Sequence, residues 1–188
     1  MDAPADALVR TLRQLIIALP GKTGFGATAV LTNSCGGGAP RGRLQQVLDI
    51  AEDFSQVKLV TWDQTRKVKE LAVNPNVTLF WTNPIGDMGW VSATGKASLE
   101  AVQLVDKAGQ PYGGLNIVVA VERLEALNYE PSIMADANGE GWIPQVITRE
   151  SGTWRVVELQ EYGYDPEIAS PVRTEQGVPP GASSTTPS

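Results

Sequence analysis

The chain has 188 residues, a formal net charge of −6 at pH 7, a single cysteine and no histidine. This length fits one domain with a substantial core, and the acidic balance argues against nucleic acid as a partner. Without histidine, the chain lacks the commonest metal ligand and any histidine-dependent triad, so no metal site is expected. Cys35 cannot form an internal disulfide and is interpreted as an inert loop thiol. No apolar run reaches membrane-spanning length and no signal peptide is evident, so we expect a cytoplasmic protein without a membrane partner.

Apolar residues recur at helical spacing near the N-terminus. They predict a helix over Pro4–Leu19 that ends at Pro20-Gly21 and covers a sheet. Gly21-Lys22-Thr23 is similar to the end of a phosphate-binding P-loop. The first glycine of that motif would fall on Ile16, and a helix instead of a strand precedes it, so we reject a P-loop.

Two strands are predicted next, over Ala27–Thr32 and Arg41–Ile50, and the glycine-rich turn between them favours a hairpin. Side chains alternate across a strand, so Arg43 and Gln45 share one face of the second strand. On that face they could meet a ligand. The alternative is a solvated polar face without a ligand.

The most informative stretch, residues 57–99, begins with a strand over Val57–Trp62 and continues with a short helix. Either Asp63 or Thr65 is a suitable N-cap for this helix. Its predicted apolar face consists of Val68, Leu71 and Ala72. The helix ends at Asn74-Pro75-Asn76.

The same stretch closes with two further strands, over Val77–Trp81 and Trp90–Leu99. Gly95 lies inside the second of them. A glycine at such a position predicts a bulge or a bend at a barrel corner.

The helix start is unusual because Arg66 and Lys67 occupy its first turn, where the helix dipole is positive. Each cation is unfavourable there by roughly 0.3–1 kcal/mol. A bound anion reverses the sign, because backbone N–H groups and both cations then converge on it. Nothing else in the sequence is expected to stabilise these charges, so Thr61, Thr65, Arg66 and Lys67 form a candidate phosphate site. Two solvated basic residues on a surface helix are the alternative.

The second half of the chain has a weaker pattern. After Leu99 we expect a short helix over Glu100–Lys107, a loop over Gly109–Gly114, a strand over Leu115–Leu124, a polar loop over Ser132–Gly141, and a closing hairpin made by Trp142–Thr148 and Thr153–Leu159. Residues 162–188, rich in Pro, Gly, Ser and Thr, are predicted to be a disordered tail.

Many short strands with few helices predict a mainly β (α+β) fold. We expect a split β-barrel of six or more antiparallel strands with a few peripheral helices, and not a doubly wound sheet. The predicted organisation is a helical segment 1–22, a barrel domain 23–161 and the tail.

The order and spacing of these motifs resemble the pyridoxamine 5'-phosphate oxidase-like, FMN-binding split-barrel superfamily, in particular its general stress protein 26-like branch. That family has a strand ending in Thr, then [Ser/Thr]-[Arg/x]-Lys opening a helix, then nP-x-V-x-L and V-x-x-x-G-x-A. The matching residues are Thr61, Thr65-Arg66-Lys67, Asn74-Pro75-Asn76-Val77-Thr78-Leu79, Val91 with Gly95-Lys96-Ala97, and an upstream arginine that is Arg43 or else Arg41.

The resemblance implies a homodimer that holds FMN at its interface. The cofactor-binding residues that it implies are Arg43, Leu44, Gln45, Val60, Thr61, Thr65, Arg66, Lys67 and Trp90. Trp90 falls where the oxidase has a Gln near the flavin ring, which implies either stacking on the ring or a pocket filled by protein. Deazaflavin F420 would use the same basic site and is the alternative cofactor. No catalytic residue is implied.

The resemblance does not extend to the vitamin B6 enzyme's substrate site. That oxidase holds its substrate with an Arg-x-His motif, and this chain has Gly141-Trp142-Ile143-Pro144 in the region. The closing Trp…Arg-Leu-x-Pro pattern is broken after Trp154. We therefore predict a flavin-dependent oxidoreductase of unknown substrate that does not oxidise pyridoxamine phosphate. The alternatives are a non-catalytic module that binds flavin, F420 or haem, and a cofactor-free dimeric interaction module.

Overall fold

The structure is a computed structural model that describes residues 4–18, 28–34, 38–82, 89–127 and 144–158. Its elements are helices α1 (Pro4–Ala18) and α2 (Arg66–Val73) and strands β1 (Thr28–Asn33), β2 (Arg41–Ile50), β3 (Gln56–Trp62), β4 (Asn76–Thr82), β5 (Trp90–Val105), β6 (Pro111–Leu127), β7 (Gln145–Glu150) and β8 (Thr153–Val156). The mainly β prediction is confirmed. The predictions for Cys35, for the loop over Ser132–Gly141 and for the tail over 162–188 lie outside the described residues.

The barrel is closed by strands that are distant in sequence. The eight strands form one sheet in the order β3-β2-β1-β4-β5-β6-β7-β8, and β3 also pairs with β6. This antiparallel pairing runs from Gln56 opposite Ala120 to Trp62 opposite Gly114. Six strands therefore form a closed antiparallel barrel, with β7 and β8 outside it. The split-barrel prediction is confirmed.

The predicted helix over Glu100–Lys107 is wrong, and the predicted loop over Gly109–Gly114 is right only for Gly109 and Gln110. Strand β5 continues to Val105 and strand β6 begins at Pro111, and the two remain paired to that point. The glycines suggested a loop, but Gly114 lies against Leu104, whose side chain would overlap a Cβ at that position. Cross-strand packing therefore overrides the local signals and builds a long hairpin arm, made of Ala101–Val105 and Pro111–Leu115.

Helix α1 covers the barrel with one apolar face. Its buried residues are Ala5, Val9, Leu12 and Ile16, and they belong to the same core cluster as the barrel strands. Arg13 Nε donates to the carbonyl oxygens of Ile50 at 2.8 Å and Ala51 at 3.0 Å. The helix is thus fixed to the turn between β2 and β3.

That turn also anchors the outer strands. Phe54 is fully buried in it at φ +54°, and its ring meets Trp81 edge to face with centroids 6.2 Å apart. Trp154 on β8 donates its indole N–H to the Asp53 carbonyl at 2.6 Å. The turn therefore holds β8 and α1 against the closed barrel.

Gly95 lies where β5 and β6 change register. Thr94 pairs with Arg123 and Gly95 with Val121, so the pairing skips Glu122. A Cβ on Gly95 would overlap the carbonyl oxygen of Ala120. The predicted irregularity is confirmed, and its cause is close backbone approach.

We expect Gly95→Val to destabilise the protein by about 2–3 kcal/mol, because the new side chain must displace the β6 backbone. Chemical denaturation followed by tryptophan fluorescence measures this. Ala101→Val, on an exposed position of the same strand, is the control and should change the free energy of unfolding by less than about 0.5 kcal/mol. Equal stability of the two variants would contradict the proposed close contact.

Candidate functional site

Six of the nine predicted cofactor residues line one cleft of about 400 Å³ between the middle of β2 and the end of β3. The six are Leu44, Gln45, Val60, Thr61, Thr65 and Lys67; the cleft is completed by Gln46, Trp62, Leu104 and Tyr112. Two neighbouring strands, the start of α2 and the hairpin arm thus converge there. The other three predicted residues, Arg43, Arg66 and Trp90, do not line this cleft.

Lys67 is the cation inside the cleft. Its ammonium group donates to Thr61 Oγ1 at 2.6 Å and to Gln45 Oε1 at 2.8 Å, and Gln45 Nε2 in turn donates to the Val60 carbonyl. Burial lowers the pKa of Lys67, and the neighbouring Arg43 guanidinium lowers it further. Within the described part of the chain its partners are neutral oxygens. Since an ammonium has three N–H donors, one is left for an anion.

The start of α2 faces the same cleft without a side-chain cap. Thr65 is the N-cap residue, at φ −74° and ψ 148°, but its hydroxyl makes no capping hydrogen bond. It donates instead to the Trp62 carbonyl at 3.1 Å, and it lies 3.4 Å from the Thr61 hydroxyl. Of the two predicted N-caps, Thr65 occupies the position and Asp63 does not. The first N–H groups of the helix therefore remain suited to an anion.

Arg43 and Arg66 lie beside the cleft, on a carboxylate that the sequence reasoning missed. Glu70, with a side chain only 7% exposed, accepts from Arg43 Nη2 at 2.8 Å and from Arg41 Nη1 at 2.6 Å, and lies 3.3 Å from Arg66 Nε. The hydrogen bond from Arg43, supported by Arg41, lowers the pKa of Glu70. Arg43 Nη2 also donates to Asn33 Oδ1 at 3.0 Å. A lone acidic residue at i+4 from Arg66 was the signal that could have identified this cluster.

Two expectations for α2 are therefore corrected. Nothing was expected to stabilise the charges at its start, yet Glu70 pairs with Arg66 one turn later. The predicted apolar face was also only partly right, because Leu71 is buried while Ala72 is exposed and Glu70 is buried. Ion pairs with β2 draw this polar face towards the barrel, which sequence periodicity cannot show.

Trp90 lies at the far end of β5. Its ring stacks on Phe80, with centroids 5.7 Å apart and planes at 26°. Among the described residues, the cleft lining includes β5 only at Leu104, fourteen positions further along the same strand. Within one chain, Trp90 is therefore placed away from the Lys67 cleft.

An aromatic wall borders the cleft, and the sequence reasoning missed it. Trp62 is 64% exposed and meets Tyr112 edge to face, with centroids 5.9 Å apart. Beyond them lies a second depression of about 650 Å³, which also borders Val105 and Asp106. Side chains alternate along β3, so Trp62 is expected on the opposite face from Thr61. The sequence pattern therefore did not predict that both residues line the same cleft.

Comparison with solved structures identifies the fold class. PhzG from Burkholderia lata 383, in complex with tetrahydrophenazine-1-carboxylic acid, matches with a TM-score of 0.57 and 13% identity over 83% of this chain and 93% of PhzG. A pyridoxamine 5'-phosphate oxidase-related, FMN-binding protein from Nostoc punctiforme PCC 73102 matches with a TM-score of 0.59 and 13% identity over 84% of this chain and 98% of its own. These similarities show the split-barrel fold that the sequence predicts.

The matches also include General Stress Protein 26 from Bacillus anthracis, with a TM-score of 0.45, 18% identity, and coverage of 63% of this chain and 95% of that one. No protein-family model and no curated protein sequence matches the chain.

The described residues contain neither a membrane-spanning helix nor a cluster of metal ligands. None of the helices there is long and apolar enough to cross a membrane. The same residues contain no group of three or more His, Cys, Asp or Glu side chains that could hold a metal ion.

The Glu70 cluster predicts an acid-sensitive contribution to stability. The pKa of Glu70 in the folded protein is lowered below its ordinary value of 4.5. At pH values above 4.5 the ionised carboxylate therefore stabilises the folded state. This contribution is lost as the pH falls through the folded-state pKa. The stability of the wild type relative to Glu70→Gln should therefore be constant near pH 7 and decrease below pH 4.5. Urea denaturation across this range measures the difference; a difference that grew on acidification would contradict the assignment.

Proposed function

We propose that the chain binds FMN and that the Lys67 cleft holds its phosphate. The observation that carries this proposal is the half-buried Lys67 ammonium, which has only neutral hydrogen-bond partners in the described residues and lies at an uncapped helix start. A partly desolvated cation of this kind is a cost to the fold until an anion compensates it. A phosphate would accept from Lys67, from the Thr61 or Thr65 hydroxyl, and from backbone N–H groups.

The fold supports a flavin as the molecule that carries this phosphate. The solved protein from Nostoc punctiforme, which shares the split-barrel fold, is described as FMN-binding. Bound flavin would itself supply electron transfer, so the residues of this chain need only bind and orient it. We infer a flavin-dependent oxidoreductase of unknown substrate. The chain has no histidine and therefore lacks the Arg-x-His motif of the vitamin B6 enzyme. For this reason we also predict that it does not oxidise pyridoxamine phosphate.

We further propose that two copies of the chain complete the flavin site. Large apolar side chains are exposed around the cleft: Leu44 is 75%, Trp62 64% and Val105 65% exposed. Covering such a group of side chains is favourable at roughly 25 cal/mol per Å². Trp90 does not line the cleft of its own chain, so we assign its predicted role beside the flavin ring to the second copy.

The first test is the substitution Lys67→Ala. It should weaken FMN binding about 30–150-fold, because a charge-assisted hydrogen bond to phosphate is worth about 2–3 kcal/mol. Riboflavin, which lacks the phosphate, should bind both proteins equally. Quenching of flavin fluorescence measures the two affinities. Lys69→Ala is the matched control, since Lys69 is exposed on the same helix.

The outcomes separate the candidate functions. If Lys67→Ala bound FMN like the wild type, the phosphate site would be assigned incorrectly. If the wild type bound F420 and not FMN, the anion site would stand with the alternative cofactor. Bleaching of the bound flavin by NAD(P)H would support an oxidoreductase, and a flavin that no donor reduces would favour a binding module.

The dimer is tested by placing a charge on the hairpin arm. Val105→Glu should shift the protein towards the monomer and weaken FMN binding, because a carboxylate at a covered apolar position is costly to bury. Val156→Glu is the control, since Val156 is 45% exposed on β8, outside the barrel. Sedimentation velocity measures both. A monomeric wild type that still retains FMN would refute the shared site.

A further inference from the structure

Glu70 is a buried carboxylate that lines neither the Lys67 cleft nor the apolar core. Its Oε2 accepts from Arg43, and its Oε1 accepts from Arg41 and lies against Arg66. Arg41 and Arg66 are exposed, with 51% and 71% of their side chains accessible, while Arg43 is only 19% exposed. Exposed ion pairs contribute little, so the contact between Glu70 and Arg43 is the stronger constraint.

Glu70 and Asn33 together hold one end of the Arg43 guanidinium. Both contacts use the same nitrogen, since Nη2 donates to Glu70 Oε2 at 2.8 Å and to Asn33 Oδ1 at 3.0 Å. A guanidinium has five N–H donors in a planar fork. The donors on Nε and Nη1 have no protein partner among the described residues. One edge of the fork is therefore fixed by protein and another is left for a ligand.

Arg43 belongs to the same part of the barrel as Lys67. Arg43 and Gln45 are two residues apart on β2 and so lie on one face, and Gln45 accepts from Lys67. Arg43 is also close enough to lower the pKa of Lys67. Two neighbouring cations that repel each other are best compensated by one shared anion.

A second observation points to an incomplete polar cluster. Asn33 is only 4% exposed; its Oδ1 accepts from Arg43, and its Nδ2 has no hydrogen-bond partner among the residues that the structure describes. A buried amide N–H without an acceptor costs about 1–3 kcal/mol. The cluster thus carries an excess of donors over acceptors, as expected of a site built for an oxyanion.

We propose that Glu70, supported by Asn33, is a positioning residue for the phosphate site. It holds Arg43 so that the free edge of the guanidinium binds the same phosphate as Lys67, and it does not itself contact the ligand. This inference rests on the proposed function. The competing account is that Glu70 only fastens α2 to β2, in which case its loss would affect every ligand and the fold alike.

The test is Glu70→Gln, which keeps the shape of the side chain and removes its charge. FMN affinity should fall about tenfold, which corresponds to about 1.4 kcal/mol, while riboflavin affinity should not change. Glu122→Gln, which alters an exposed carboxylate 3.5 Å from Lys96, is the control and should leave both affinities unchanged. In an Arg43→Gln background, Glu70→Gln should have no further effect on FMN, because the effect passes through Arg43.

Three outcomes would overturn the inference: an FMN affinity that is unchanged or raised in Glu70→Gln, an equal loss for riboflavin, or a full additional loss in the Arg43→Gln background. If Lys67→Ala weakens FMN binding and Glu70→Gln does not, this inference fails and the proposed function survives. If the wild type binds no FMN, both fail. If Glu70→Gln does not fold, Asn33→Ser takes its place: a loss confined to FMN supports positioning, and equal affinity for FMN overturns it.

Discussion

The pairing of β3 with β6 is the constraint on which the rest of the structure depends. It pairs residues that are more than fifty positions apart in sequence and closes the six-stranded barrel. Closure removes two exposed sheet edges and covers the core that α1 seals from one side. It also brings the end of β3, the start of α2 and the hairpin arm of β5 and β6 to one place. The candidate site is therefore a direct consequence of the topology.

Two kinds of basic group meet at this place. Lys67 is half-buried with neutral partners, while Arg43 is paired with the buried Glu70. The charge of Lys67 can therefore be compensated by a ligand. The ion pair with Glu70 fixes the orientation of the Arg43 guanidinium but neutralises part of its charge. A phosphate site benefits from both, because an uncompensated cation supplies affinity and a preorganised guanidinium supplies geometry.

Local patterns predicted much of this, and tertiary contacts account for the errors. Alternation located β2 and β3, and Gly95 marked the bulge, because these signals act within a few residues. The grouping of Thr61, Thr65 and Lys67 at one helix start also followed from spacing. By contrast, the helix predicted over 100–107 is a strand because it pairs with β6, and Glu70 is buried because arginines from β2 reach it. These contacts join residues up to about thirty positions apart that lie on different helices or strands. A pattern read over a few neighbouring residues cannot predict them.

The most direct test of the central claim is a crystal structure of the protein with FMN bound. The account predicts the phosphate within about 3 Å of Lys67 Nζ, at the start of α2, with the flavin ring directed towards Trp62 and a second copy of the chain. A phosphate placed elsewhere, with Lys67 still bound only to Thr61 and Gln45, would contradict it.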